Sequence, residues 1–191
     1  MLDRIVQRLA CGITVLLLAA PGLAAAQGSA GACLNAPALP APAGTVVRVD
    51  SAGALRAALR NATANTTIVI AAGRYQLPGT LSVTVDNVTI RGEDNRCDSV
   101  HLVGAGMDNA DHQGVRFGFW INAARTTIAN LTISDVYYHA IQIDGQSYAP
   151  HIYNVRLVDS GQQFIKANPN QSGGGVDDGI VAYSIMEYSN G

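Results

Sequence analysis

Lys166 is the side chain of this sequence that is best suited to proton transfer. It is the only lysine in the 191-residue chain, and it closely precedes a loop with three consecutive glycines, residues 173–175. An amine can remove a proton next to a carboxylate if a second cation stabilises the negative charge that develops. Lys166 is therefore a candidate general base. The alternative is a solvated lysine at a corner of the fold.

A second group of candidates lies in the middle of the chain and combines phenol and imidazole rings. Side chains alternate along an extended strand, so Asp135, Tyr137 and His139 are expected to share one face. His151 follows after the next predicted strand. Because aromatic rings stack on the faces of sugars, Tyr137, His139 and His151 are predicted to bind a carbohydrate. Alternatively, Tyr137 and Tyr138 close a corner of the fold.

Asp177 and Asp178 are adjacent carboxylates that follow the glycine loop. Calcium takes about 6–8 hard oxygen ligands, so two carboxylates supply only part of a site. The pair is predicted to bind Ca²⁺, the one cofactor suggested by the sequence, if folding brings Asp108, Asp111 or Asp144 beside it. The alternative is an ordinary solvated loop.

Several functions are disfavoured by what the sequence lacks. The formal net charge is −2 and the basic residues form no stripe, so no nucleic-acid partner is expected. Neither a glycine-rich nucleotide loop nor a Cys-x-x-Cys or His-Glu-x-x-His motif occurs. Asp135, Asp144 and Asp159 are single carboxylates, which ranks a galacturonan hydrolase lower, because such an enzyme needs paired acids.

A repeated strand is expected to position these candidates. Asn87, Asn130 and Asn154 each begin the pattern asparagine, apolar, polar, apolar, at spacings of one or two units of roughly 20–30 residues. The alternation indicates strands, and right-handed crossovers predict an all-β fold, a right-handed single-stranded parallel β-helix, or solenoid. The three asparagines are predicted to form a hydrogen-bonded ladder, and Tyr183 takes the asparagine position in a later copy.

The chain is expected to have three parts. Residues 1–26 combine a basic start, a short apolar run and an Ala-Ala-Ala cleavage site, which predicts a secretory signal peptide. Residues 27–44 are rich in Ala, Pro and Gly and predict a linker that is poorly ordered except near Cys33. Residues 45–191 form the predicted β-helix domain. Its N-terminal helix, from Ser51 to about residue 61, is expected to cap the first strands.

Export sets the expected chemistry of the cysteines. Signal cleavage leaves Cys33 and Cys97, an even pair, so a disulfide is expected, with two free buried thiols as the alternative. The mature protein is expected to be secreted or periplasmic and to have no membrane attachment after cleavage. An uncleaved N-terminal anchor is the alternative.

The residues from Thr67 to Tyr75, and the sequence Val-Thr-Ile-Arg-Gly that ends at Gly92, resemble right-handed parallel β-helix proteins of the pectate lyase-like superfamily. That superfamily contains polysaccharide lyases, galacturonan hydrolases, uronan epimerases and uncharacterised secreted proteins, so the resemblance implies the fold more than the reaction. Its members usually continue for further coils, whereas this sequence stops at a turn. The chain is therefore expected to be a C-terminally truncated piece.

The resemblance also implies roles for three cations. Secreted β-helix lyases of the chondroitinase B and alginate lyase type use a lysine base with an arginine partner. By that analogy Lys166 is the base, and Arg156 or Arg125 binds the carboxylate of the substrate. The function expected first is β-elimination, or the related C5 epimerisation, on a uronic-acid polysaccharide. The alternative is a non-catalytic β-helix that binds glycans or mediates surface adhesion.

Overall fold

The structure, a computed structural model, describes residues 33–109, 115–170, 172 and 174–189. The predicted signal peptide lies outside the described residues. Within them the chain is mostly β-structure with one helix, α1 (Ala52–Arg60). The strands are β1 (Thr45–Val49), β2 (Thr66–Ile70), β3 (Gly73–Gln76), β4 (Leu81–Val83), β5 (Thr89–Gly92), β6 (Val100–Val103), β7 (Phe117–Ile121), β8 (Thr127–Val136), β9 (His139–Ile143), β10 (His151–Ser160), β11 (Ile165–Ala167), β12 (Ile180–Ala182) and β13 (Ile185–Glu187).

Every strand pair among these elements is parallel, and the strands form two sheets. The larger sheet has the order β1-β2-β5-β8-β10-β12, with β6 beside β8, β3 beside β6, and β13 beside β10. The smaller sheet has the order β11-β9-β7-β4. Ile90, Ile128 and Ile152 pair in register and are buried. The predicted all-β class with parallel strands is confirmed at this level.

Ser51 is the N-cap of helix α1, as the sequence predicts. The hydroxyl of Ser51 accepts a hydrogen bond from the Ala54 amide at 3.1 Å, which satisfies one of the free N–H groups of the first turn. Leu55 and Leu59 are buried, and the helix contacts β1, β2 and β4. Among the described residues, no helix is long and apolar enough to cross a membrane.

The predicted asparagine ladder joins Asn130 and Asn154. Asn154 Nδ2 donates a hydrogen bond to Asn130 Oδ1 at 2.9 Å, and both residues are buried. Their φ angles of 56° and 49° lie in the left-handed region, which asparagine tolerates better than most residues. Tyr183, with φ 52°, follows the residue that pairs with Tyr153 and so stands opposite Asn154. The predicted position of Tyr183 is therefore confirmed.

Asn87 belongs to a different corner, and its predicted place in the ladder is wrong. Because Thr89 pairs with Thr127, Asn87 stands opposite Arg125 and not opposite Asn130. Asn87 Oδ1 accepts a hydrogen bond from Arg125 Nε at 2.5 Å. Asn87 and Asn130 both have positive φ, but Asn87 precedes β5 whereas Asn130 lies within β8, so the two mark different corners. The local sequence pattern is the same at both.

Residues 33–44 form a segment that lies against the larger sheet, and we call it the strap. Its carbonyl oxygens at Ala43, Pro40 and Pro37 accept hydrogen bonds, each of 2.7 Å, from Thr67 in β2, Arg91 in β5 and Tyr153 in β10. The expectation of order only near Cys33 is therefore wrong. A proline-rich segment has few N–H donors, but its carbonyl groups remain available as acceptors for side chains of the sheet.

The strap is also held covalently. A disulfide joins Cys33 to Cys97 across a sequence separation of 64 residues, as the sequence predicts. Disulfides persist in oxidising compartments, so this bond is consistent with an extracellular location.

We expect Asn154→Ala to lower the free energy of unfolding by about 1–2 kcal/mol more than Asn87→Ala, because the first change leaves the buried Oδ1 of Asn130 without its donor. Both sites have positive φ, so the strain that alanine suffers there is common to the two variants. Urea unfolding of both variants measures the difference. Equal losses would show that the buried pair stabilises the fold no more than the exposed Asn87–Arg125 hydrogen bond does.

Candidate functional site

A row of side chains on the outer face of the smaller sheet combines an aromatic ring, amides and a cation. The register pairs Trp120 in β7 with Gln142 in β9, and Gln142 with Lys166 in β11. The alternate residues Phe119 and Ile141 are fully buried, so the row points away from the core. We call the following five residues the Trp120 face: Trp120, Gln142, Asp144, Lys166 and Asn168.

Asp144 is the hydrogen-bonding centre of the Trp120 face. Its Oδ2 accepts from Trp120 Nε1 at 2.7 Å, and its Oδ1 accepts from Gln142 Nε2 at 3.0 Å and from Asn168 Nδ2 at 3.3 Å. A carboxylate accepts such bonds from several donors at once. The half-exposed indole ring and the two amides are therefore held in fixed orientations before any ligand arrives.

Lys166 is half-buried at one end of this row, next to Gln142. Burial lowers the pKa of His139 below the ordinary histidine value, the hydrogen bond to the Gln163 backbone opposes that shift, and the charge of Lys166 adds a smaller lowering. His139 Nδ1 lies 3.2 Å from the Gln163 carbonyl oxygen, which can only accept, so Nδ1 carries the proton. The imidazole stacks on Phe117 with ring centroids 5.6 Å apart.

The two arginines expected beside Lys166 lie elsewhere. Arg156 is in β10 of the larger sheet and forms an ion pair with Glu187. Arg125 is at the corner before β8, where it bonds to Asn87 and lies 3.9 Å from Asp86. None of the contacts described for either arginine involves Lys166. The structure therefore does not assemble the predicted base and cation pair.

The three predicted sugar contacts occupy separate places. Tyr137 follows the end of β8 and stands edge-on to Tyr138, with ring centroids 4.6 Å apart, which is the corner position of the alternative interpretation. His139 begins β9 and is 5 % exposed, which leaves little surface for a ligand. His151 begins β10 in the larger sheet, beside Tyr153. The expectation that Tyr137 and His139 share a single strand is wrong because β8 ends at Val136.

The predicted calcium ligands are not gathered into a site. Asp178 Oδ2 accepts a hydrogen bond from the Tyr148 hydroxyl at 2.6 Å, and this contact raises the pKa of Tyr148. Asp177 is exposed, and its carbonyl oxygen accepts from Ala149 N. In the described part of the chain, no group of three or more acidic, histidine or cysteine side chains is placed to hold a metal ion. Asp111 lies outside that part.

A chain of polar side chains that the sequence did not reveal runs from Arg74 to Asp135. Arg74 Nη1 lies 2.7 Å from His101 Nδ1, His101 Nε2 lies 2.8 Å from Ser134 Oγ, and Ser134 Oγ donates to Asp135 Oδ2 at 2.6 Å. Arginine only donates, so Nδ1 accepts and the proton is on Nε2. Burial, and secondarily the charge of Arg74, lowers the pKa of His101 to about 4. Ser134 thus gives its proton to a carboxylate and is not a nucleophile activated by histidine.

Asp135 and Asp159, single in the sequence, become neighbours in the structure. The register places them side by side in β8 and β10, and both line a cavity of about 560 Å³ with Asp108 and Tyr188. Asp159 already accepts hydrogen bonds from the amide and the hydroxyl of Ser189, at 2.8 and 2.7 Å. Both carboxylates therefore have donors within the chain.

No family model, no curated protein and no solved structure matches this chain. The function of the chain is therefore inferred from its own geometry.

The Trp120 face contains three residues to which the sequence argument assigned no role: Trp120, Gln142 and Asn168. Trp120 is the only tryptophan of the chain, and this was the feature of the sequence that could have marked it as a candidate. The two amides carried no signal, because only the register of β7, β9 and β11 places them around Asp144.

We expect His101 to titrate with a midpoint near pH 4, as followed by NMR of the imidazole signals. Because its folded-state pKa lies below the ordinary value of 6.5, the unfolded chain binds more protons between these limits. The contribution of His101 to stability is thus complete above pH 6.5 and is lost as the pH falls toward 4. His101→Gln should flatten that part of the stability profile. A midpoint near 6.5 would contradict the buried, neutral state.

Proposed function

We propose that this chain is an exported right-handed parallel β-helix whose Trp120 face binds an acidic polysaccharide. In-register parallel pairing in two sheets supports the solenoid, as do the positive-φ residues Asn130, Asn154 and Tyr183 at one register position. It is also the fold implied by the resemblance to the pectate lyase-like superfamily. The disulfide supports export, since such bonds are characteristic of oxidising compartments.

The observation that carries the binding proposal is the fixed orientation of Trp120. Its N–H group is engaged by Asp144, so the part left for a ligand is the half-exposed ring. Aromatic rings provide a large contact area together with specific geometry, and a side chain held in place before binding loses little conformational entropy. The apolar face of a pyranose is the natural partner for such a ring, and the neighbouring half-buried Asn168 amide offers hydrogen bonds to its hydroxyl groups. Gln142 is only 4 % exposed and helps to hold Asp144 in place.

Lys166 supports the choice of an acidic sugar. It is the cation of the row, two strands away from Trp120, which corresponds to about 10 Å across a sheet. An ammonium group offers three donors to a carboxylate. The negative charge of Asp144 is already shared among three donors, so it competes little with a uronate for Lys166.

Binding accounts for the geometry better than β-elimination does. A lysine base needs a cation or an equivalent hydrogen-bond donor at the carboxylate of the substrate. Arg125 instead bonds to Asn87, and Arg156 forms an ion pair with Glu187. β-Elimination by Lys166 is the second candidate, and the specific observation in its favour is that the half-buried amine of Lys166 forms no ion pair within the described residues.

The single tryptophan allows a direct test of the Trp120 face. We expect the tryptophan emission of the full chain to change saturably on titration with oligogalacturonate, and to respond less to a neutral galactan oligosaccharide. Calorimetric binding to Trp120→Ala is expected to be about 10-fold weaker, because the stacking surface is lost. Tyr148→Ala, which removes an exposed aromatic ring outside the smaller sheet, is the matched control. Equal affinities of the two variants would refute the proposed site.

Lys166→Met tests the charge preference. We expect about 10-fold weaker binding of oligogalacturonate and unchanged binding of the neutral oligosaccharide, because one charge-assisted contact is lost. Arg60→Met, which removes an exposed cation at the end of α1, should change neither. Release of an unsaturated uronate by the wild-type chain, absent in Lys166→Met, would establish the second candidate. Intact binding without that product supports binding alone.

A further inference from the structure

A cavity of about 360 Å³ lies between the strap and the larger sheet. Strap residues 39–43 line one side of the cavity. On the sheet side the register aligns one side chain from each of four strands: Thr67, Thr89, Thr127 and His151. The cavity is on the sheet that does not contain the Trp120 face, so inferences about the two sites are independent.

Arg91 also lines this cavity, and its charge has no counter-ion within the described residues. It is only 7 % exposed. Its Nη1 donates to the Pro40 carbonyl oxygen at 2.7 Å, whereas its buried Nε has no hydrogen-bond partner. The ion pairs found in the described chain join other arginines to acidic residues. The buried guanidinium thus has one neutral carbonyl group as an acceptor and one N–H group without a partner.

Such an arrangement is unfavourable when the cavity holds only water. Burial of a charge is costly unless the charge is paired and hydrogen-bonded, and the burial of Arg91 lowers its pKa. Arginine is nevertheless protonated at every physiological pH. An anion in the adjoining cavity would supply the missing charge.

We propose that the cavity under the strap binds a small carboxylate ligand, with Arg91 as the counter-charge and the threonine hydroxyls as further hydrogen-bonding groups. A carboxylate pairs with a guanidinium through charge-assisted hydrogen bonds. It also carries one negative charge, which equals the one positive charge present. Phosphate carries up to about two charges and fits a single arginine less well.

The remaining space points to a polyhydroxylated acid, such as a single uronate. The volume lies near the lower end of small-molecule sites, which begin at about 300 Å³, and it exceeds what a carboxylate group alone fills. Thr89 and Thr127 are half-buried and extend the polar row away from Arg91 toward His151. Burial lowers the pKa of His151, so its neutral ring both donates and accepts at neutral pH. These groups suit hydroxyl groups of the ligand.

Thermal unfolding of the full chain in the presence of D-galacturonate, D-galactose or acetate tests the inference. A ligand that binds the native state raises Tm saturably. We expect such a rise with galacturonate but not with galactose at equal ionic strength. An equal Tm shift with acetate would show that only the carboxylate is recognised. A smaller shift with acetate than with galacturonate would show that the sugar ring is recognised as well. No saturable shift with either acid would overturn the proposal.

Variants separate this cavity from the Trp120 face. We expect Arg91→Met to weaken galacturonate binding at least about 10-fold, whereas Arg96→Met, which removes an exposed arginine, leaves it unchanged. Binding should persist in Trp120→Ala. If Trp120→Ala abolishes the shift and Arg91→Met does not, the ligand belongs to the other sheet and the proposal fails. If Arg91→Met does not fold, Thr127→Val should still weaken binding severalfold, and an unchanged affinity in that variant would refute the site.

Discussion

In-register parallel pairing is the constraint on which the rest of this structure depends. It aligns Ile90, Ile128 and Ile152 in the larger sheet, and Phe119 and Ile141 in the smaller one, as buried columns. Side chains alternate between the two faces of a strand, so a slip of one residue would turn each column outward. The apolar columns therefore fix the register, and the register fixes every other column as a consequence.

The chemistry of the outward-facing columns of side chains results from the register of the parallel strands. Trp120, Gln142 and Lys166 come from three strands with no shared local motif, and they meet because the residues before them pack in the core. The same holds for the row from Thr67 to His151 on the other sheet. A parallel sheet thus converts residues far apart in sequence into an extended recognition surface, whose composition can change without loss of the buried columns.

Local pattern predicted the parts of the fold that local forces determine. The cap at Ser51, the alternating strands and the corner at Tyr183 were all readable from the sequence, because each depends on side-chain type and short-range backbone conformation. Asn87 was misassigned because two corners share one pattern and only long-range pairing distinguishes them. The sequence marked Lys166 as unusual, but only the pairing of the strands places it beside Gln142, with Trp120 one strand further along the row. The strap was misread because its composition is that of a linker, and its partners lie in distant strands.

The strap links segments that are synthesised at very different times. Its hydrogen bonds and its disulfide span 24, 64 and 116 residues of sequence, to Thr67, Cys97 and Tyr153. The contact to Thr67 spans no more sequence than a pair of neighbouring strands, but those to Cys97 and Tyr153 span more and carry a larger entropic cost of loop closure. The part of the described chain that is made first can therefore complete its contacts only when its most distant partner, Tyr153, is in place. Complete attachment of the strap requires β10, so a fully docked strap shows that the larger sheet has formed as far as β10.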